Sequence, residues 1–205
     1  MLDRPVRRLL HPTLARIAVA LVERGIRPNH LTGAALLLAM VAAGLASRHF
    51  VVASVVLWLA SRLLDGLDGE AARVADLAEH DRDIGGFYDI IGDFAAYAAI
   101  PLGVAVAQPD ARLAVAFLLA TYYLSGATFL AFSSLAERRG IVTDDRSFQF
   151  IGRIAEGTET IIVHTALLAW PGAAQPIAGT FAGVVALSVI ERVLTSRRLL
   201  RNAPG

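Results

Sequence analysis

The chain has 205 residues, 56% of them hydrophobic, with a mean hydropathy of +0.57, too apolar for an ordinary soluble domain of this size. It contains no cysteine, which excludes disulfides and thiolate metal sites. A net charge of +1, with arginine supplying all 19 basic residues, implies no bulk affinity for nucleic acid.

The chain opens MLDRPVRRLLHPTLARIAVALVERG, where Leu10, Leu14, Ile17 and Leu21 recur at helical spacing and Arg7, His11, Arg16 and Arg24 fall elsewhere on the wheel. Arg16 interrupts the apolar part and no small-x-small cleavage site follows, which argues against a signal peptide. The pattern predicts an amphipathic helix lying on the membrane surface, with a disordered basic leader as the alternative. Pro28 is expected to end that helix, with Asn29 as N-cap of the next.

Hydropathy predicts spans near 30–47, 50–73, 84–107, 113–136, 154–170 and 175–196. The expected architecture is an all-α integral membrane protein, a single domain over 1–205 made of a juxtamembrane helix (1–27) and a six-helix bundle (28–205). With six spans, one side collects 16 arginines, the other has only Arg48 and Arg112, and Arg62 lies within the second span. That asymmetry puts both termini, and the loops near 74–83 and 137–153, in the cytoplasm.

The second span ends in DGLDGEAAR, residues 65–73. Aspartate is expensive inside a bilayer, so its presence there marks a site. At about 100° per residue, Asp65, Asp68, Gly69, Ala72 and Arg73 share one helical stripe, while Glu70 and Ala71 point away. The third span opens IGGFYDIIGDFAAY, and Gly85, Asp89 and Asp93 again share a stripe. Folded as an antiparallel hairpin, the two spans bring four carboxylates to similar depth near the cytoplasmic end. Four converging negative charges in low dielectric demand a positive partner, and Arg73 alone does not suffice. Carboxylate oxygens suit the hard ions Mg²⁺, Mn²⁺ or Ca²⁺. Small residues that admit a bulky group, and an arginine that clamps phosphate, point to a phosphorylated substrate.

Asp65-x-x-Asp68-Gly69-x-x-Ala72-Arg73, followed by Gly85-x-x-x-Asp89-x-x-x-Asp93, resembles the signature of the CDP-alcohol phosphotransferases. These membrane enzymes transfer a substituted phosphate from a CDP-alcohol to an acceptor hydroxyl and release CMP. The surface helix and six spans also resemble that family, so the likeness covers nearly the whole chain. It implies that Asp65, Asp68, Asp89 and Asp93 form the metal site for Mg²⁺ or Mn²⁺, two ions, with Asp93 also the base. It implies CDP contacts from Gly69, Ala72, Arg73 and Gly85, and from Asn29 and Thr32 in RPNHLT. It further implies a CDP-alcohol lipid donor, CDP-diacylglycerol above all, a small polar acceptor, surrounding membrane lipids, a homodimer, a role in phospholipid synthesis and a bacterial-type cell membrane. One departure stands out: 11 residues separate Arg73 from Gly85, more than the family's usual spacing, and the extra residues are expected to lengthen the cytoplasmic loop.

Farther along, Arg153 is either an acceptor-binding residue or the partner of Glu156, while Arg138 and Arg139 read as positive-inside anchors. His164 reads as a hydrogen-bonded core histidine, and Tyr122, Tyr123 and Trp170 as packing or interfacial aromatics. Two rival functions share an intramembrane Asp cluster. An Mg-dependent prenyltransferase would need a different motif from Gly69-x-x-Ala72-Arg73, and a divalent-cation transporter often carries pseudo-repeats that are not visible here.

Overall fold

A computed structural model describes residues 3–140 and 157–202, and all their regular structure is helical. The helices are α1 (Asp3–Glu23), α2 (Pro28–Ala46), α3 (Val51–Val74), α4 (Glu79–Ala107), α5 (Arg112–Arg138), α6 (Gly157–Ala169) and α7 (Ala174–Asn202). Short 3-10 turns, Pro109–Ala111 and Pro171–Ala173, lead into α5 and α7.

Small residues set how closely these helices approach. α2 buries Ala35, Ala39, Ala42, Ala43 and Ala46 and packs against both α3 and α4. At Gly103 of α4, a Cβ would collide with the backbone of Ala43, so only glycine allows this contact. Close backbone packing of this kind holds helices together in lipid, where apolar burial gives no net drive. Around it lies a core of Trp58, Ile100, Val104, Val115, Leu118, Leu167 and Phe181. Outward-facing Val52, Leu113, Phe117 and Leu187 are exposed, as a lipid-facing surface requires.

Four stretches among the described residues are long and apolar enough to cross a membrane: Pro28–Ala46, Glu79–Ala107, Pro109–Arg138 and Pro171–Arg201. α3 has the length, at 24 residues, but carries Arg62 at its middle and Asp65 and Asp68 beyond it. The described part of the fifth expected span is the 13-residue α6.

α1 is helical, and Leu14, Ala18, Leu21 and Val22 cluster with Leu31, Leu64, Leu67 and Ala71, seating it against the motif-bearing α3. It ends earlier than Pro28. The Gly25 amide donates to the Val22 carbonyl (2.9 Å) and the Ile26 amide to that of Leu21 (3.1 Å), with Gly25 at φ 78°. This is a Schellman closure, and it needs the left-handed backbone that glycine supplies. The N-cap of α2 is Arg27 rather than Asn29, because Pro28 takes the first helical position, where its missing N–H and fixed φ suit it. Asn29 therefore lies in the first turn, with its side chain available to the site.

The segment after Arg73 also differs from expectation. Only residues 75–78 separate α3 from α4, because helix resumes at Glu79. Glu79 and Asp81 in the first turn favour that start, placing carboxylates at the positive end of the helix dipole. Of the 11 residues between Arg73 and Gly85, seven are thus helical and only four lie in the connection. At the far end, Arg139 donates to the Leu200 carbonyl at 2.7 Å, a structural tie between α5 and α7.

Candidate active site

α3 and α4 run antiparallel from their short connection and bring the two acidic stripes face to face. Asp65, Asp68 and Asp89 each offer a carboxylate oxygen, all within 4.8 Å of one another. A hard cation with oxygen ligands at about 2.0–2.6 Å spans such a set, so the residues fit a divalent metal. Two of the three carboxylates come from α3 and the third from α4, so a cation there would clasp the hairpin. Thr32 of α2 supports the cluster: its hydroxyl lies 2.6 Å from Asp68 Oδ2, to which it donates, and 3.3 Å from the Pro28 carbonyl.

Asp93 is placed differently. One turn beyond Asp89, its Oδ1 accepts a 2.7 Å hydrogen bond from Nη1 of Arg62, and that same nitrogen is 3.5 Å from Asp65 Oδ1. Three of the four predicted metal carboxylates therefore converge, and the fourth is held beside them by an arginine. Sequence reasoning gave Arg62 no role. Its signal was present: a charge inside an apolar span, three residues before Asp65, is rarely accidental.

Next to the cluster, toward the α3–α4 connection, lies a cavity of about 480 Å³. Its wall includes Asn29, Thr32, Gly69, Ala72, Arg73 and Gly85, the whole predicted nucleotide set, together with Asp68 and Asp89. Gly69 faces open space, and a Cβ at Gly85 would press on Asn29 Oδ1 at 3.2 Å, so small residues at both positions keep the cavity clear. Leu77, Asp81 and Arg82 also line it. The residues after Arg73 thus contribute to the site, through the extended start of α4.

Glu70 also departs from its expected place. It does point away from the carboxylate stripe, yet it is buried. It receives two bonds from Arg73, Nη2 to Oε1 at 2.6 Å and Nε to Oε2 at 3.2 Å, and its Oε2 lies 3.7 Å from His11 Nε2. Glu70 fixes the arginine at the cavity wall from behind. His164 is fully buried, with Nε2 3.0 Å from the Tyr122 hydroxyl, a core residue as expected. Tyr123 and Trp170 are exposed. Arg153 and Glu156 lie outside the described residues.

The Thr32 contact yields a direct expectation. Thr32→Val keeps the shape and deletes the donor to Asp68; where a carboxylate holds a metal, removing its outer hydrogen-bond partner typically costs about 10- to 100-fold in metal affinity. The Mn²⁺ concentration giving half-maximal thermal stabilisation should rise by at least about tenfold in this variant. An unchanged midpoint in a Mn²⁺ titration followed by thermal unfolding would remove Thr32 from the supporting role.

Comparison with known proteins agrees with this geometry. The chain is 33% identical over 206 aligned residues, 98% of both chains, to the inner membrane protein YnjF of Escherichia coli (strain K12). That likeness and the membrane-length helices make this an integral membrane protein. The CDP-alcohol phosphatidyltransferase family profile matches residues 26–191, from the approach to α2 to the last third of α7, and so takes in every motif residue of the hairpin. With the paired motif blocks, the carboxylate cluster and the adjoining cavity all inside that match, the chain belongs to the CDP-alcohol phosphatidyltransferase family.

Proposed function

We propose that this protein transfers the phosphatidyl group of CDP-diacylglycerol to the hydroxyl of a small polar acceptor, with release of CMP. The observation that carries this reading is the shared seam of cluster and cavity. Asp68 and Asp89 belong both to the three-carboxylate set and to the wall holding Asn29, Gly69, Arg73 and Gly85. A diphosphate seated there would have its nucleotide in the cavity and its phosphates against the carboxylate-bound cation. Mg²⁺ or Mn²⁺, as two ions, is the cofactor we assign to Asp65, Asp68 and Asp89. When bound, it neutralises the diphosphate and the departing CMP.

The chain's own residues do the rest. Arg73, braced by Glu70, pairs with phosphate oxygens, and Arg82 adds a second cation on the same wall. Asp93 accepts the proton of the acceptor hydroxyl. The freed oxygen forms a new bond to the lipid-side phosphorus, and the bond from that phosphorus to the bridging oxygen breaks, so CMP leaves with the electron pair. Asp93 lies one helical turn farther from the α3–α4 connection than Asp89, so the acceptor meets the diphosphate from the side opposite the nucleotide.

The topology that accompanies this reading is a single domain over 1–205, with α1 on the membrane surface, six spans, and both termini and the site on the cytoplasmic side. A homodimer belongs to the same proposal. So does a phosphorylated acceptor, with Arg153 as its binding residue.

The discriminating test is thermal unfolding of the purified protein in detergent. CMP with Mg²⁺ should raise the midpoint, because ligand binding to the folded state alone stabilises it by mass action. A prenyltransferase or a cation transporter with the same acids would respond to Mg²⁺ but gain nothing from CMP. Absence of any CMP-dependent shift would overturn the reading.

A further inference from the structure

We infer that Asp81 is the residue by which the cavity tells cytosine from uracil, its carboxylate accepting a hydrogen bond from the exocyclic amino group. This deepens the proposed function and rests on it. Asp81 falls in the stretch between Arg73 and Gly85 that is longer than the family's usual spacing, and it lines the cavity together with Leu77 and Arg82. Glu79, the other acid in the first turn of α4, is not part of the wall. An acid at either place suits the helix start. The helix start alone therefore does not call for a carboxylate on the cavity wall.

The cavity has two polar ends and a bare middle. At one end Asp68 and Asp89 belong to the carboxylate cluster; at the other, beside the α3–α4 connection, stand Arg73, Asp81 and Arg82. Between them Gly69, Gly85 and Gly86 carry no side chain, and Asn29 reaches the level of Gly85. Asp81 precedes Asp89 by eight residues, about 12 Å along the helix at roughly 1.5 Å per residue. That matches the reach of a nucleotide whose phosphate lies at the cation and whose base points toward the connection. A base at that end meets two arginines and one acid. Arginine side chains only donate and Leu77 does neither, so Asp81 is the one side-chain acceptor there among the described residues. Cytosine presents an amino donor where uracil carries a carbonyl acceptor. A carboxylate bonds the first and repels the second, so one residue supplies both the attraction and the rejection. Its Oδ1 lies 3.3 Å from Nε2 of the exposed His80, and 53% of the Asp81 side chain is exposed, which leaves Oδ2 open to a ligand.

The test is the ratio of two dissociation constants, for CMP and for UMP, measured with Mg²⁺ by titration calorimetry on the purified protein in detergent. The two nucleotides differ only in the base. A change in fold or in overall charge therefore affects both alike and leaves the ratio untouched. Wild type should bind CMP at least about tenfold more tightly than UMP, the scale of one hydrogen bond to a charged group. In Asp81→Asn the ratio should fall to within about threefold, because an amide turns either to accept from cytosine or to donate to uracil. Asp81→Ala should lose the preference as well, by removing both the attraction and the repulsion. Glu79→Gln, on the same turn but off the cavity wall, should keep the wild-type ratio. Equal CMP and UMP affinities in wild type would overturn the inference and leave the functional reading standing, as would an unchanged ratio in either Asp81 variant. An equal fall in Glu79→Gln would assign the effect to the helix start and overturn it too. A wild type that binds neither nucleotide overturns the functional reading, and this inference with it.

Discussion

Asp89→Asn is expected to abolish both CMP-dependent stabilisation and turnover. Of the three converging carboxylates, Asp65 and Asp68 belong to α3, and only Asp89 comes from α4. Its loss removes one of three charges and also the sole link by which a cation would clasp the two helices. Affinity of an oxygen-ligand site follows the number and charge of its ligands, so the remaining pair should hold Mg²⁺ poorly. Transfer should fall by at least about a thousandfold, since residues that act as one unit fail together rather than in proportion. Exhaustive EDTA treatment of the wild type should reproduce that loss, and Mg²⁺ should restore the wild type but not the variant. The comparison needs only thermal unfolding with CMP and a transfer assay on the same preparations. A wild-type response in Asp89→Asn would remove it from the metal site.

Asp93→Asn should separate chemistry from binding. Because Arg62 holds Asp93 beside the converging set, its replacement leaves Asp65, Asp68 and Asp89 in place. Asparagine keeps an Oδ1 that accepts from Arg62 and loses only the ability to take a proton. Turnover should drop by about 100- to 10,000-fold, the usual range for a positioned general base. The midpoint shift produced by CMP and Mg²⁺ should persist. Near-normal turnover would exclude Asp93 as the base, and loss of the CMP shift would make it a ligand instead.

Much of the site could be read from the chain because helical periodicity is local. The stripe of Asp65, Asp68, Gly69, Ala72 and Arg73 on α3, and that of Gly85 and Asp89 on α4, depend only on residue spacing. Both recur as cavity or cluster residues. What a single-helix wheel lacks is the register between helices. Arg62 and Asp93 are 31 residues apart and meet only because α3 and α4 pair with a particular offset, so spacing within either helix could not join them. Glu70 shows the same limit from another direction. Its distance from the stripe was correct, but α1 packs on that side, turning an outward acid into a buried partner of Arg73 near His11.

Boundaries were harder to read where two signals competed. Asn29 has N-cap chemistry, yet Pro28 before it fits the first helical position better and moves the cap to Arg27. After Arg73, a polar run suggested loop, but its acids suit a helix start, and α4 begins at Glu79. α3 has the length to cross a membrane while carrying the charges of the site, so apolarity is weakest where the chemistry is concentrated.

The central claim is met most directly by incubating the purified protein with radiolabelled CDP-diacylglycerol and Mg²⁺ against a panel of small acceptor alcohols, phosphorylated ones included. Release of CMP and labelled lipid product should appear in equal amounts, depend on one acceptor or a chemically related few, and stop on exhaustive chelation. Transfer that continues undiminished in EDTA would contradict the account, as would a folded, CMP-stabilised protein that releases no CMP with any acceptor.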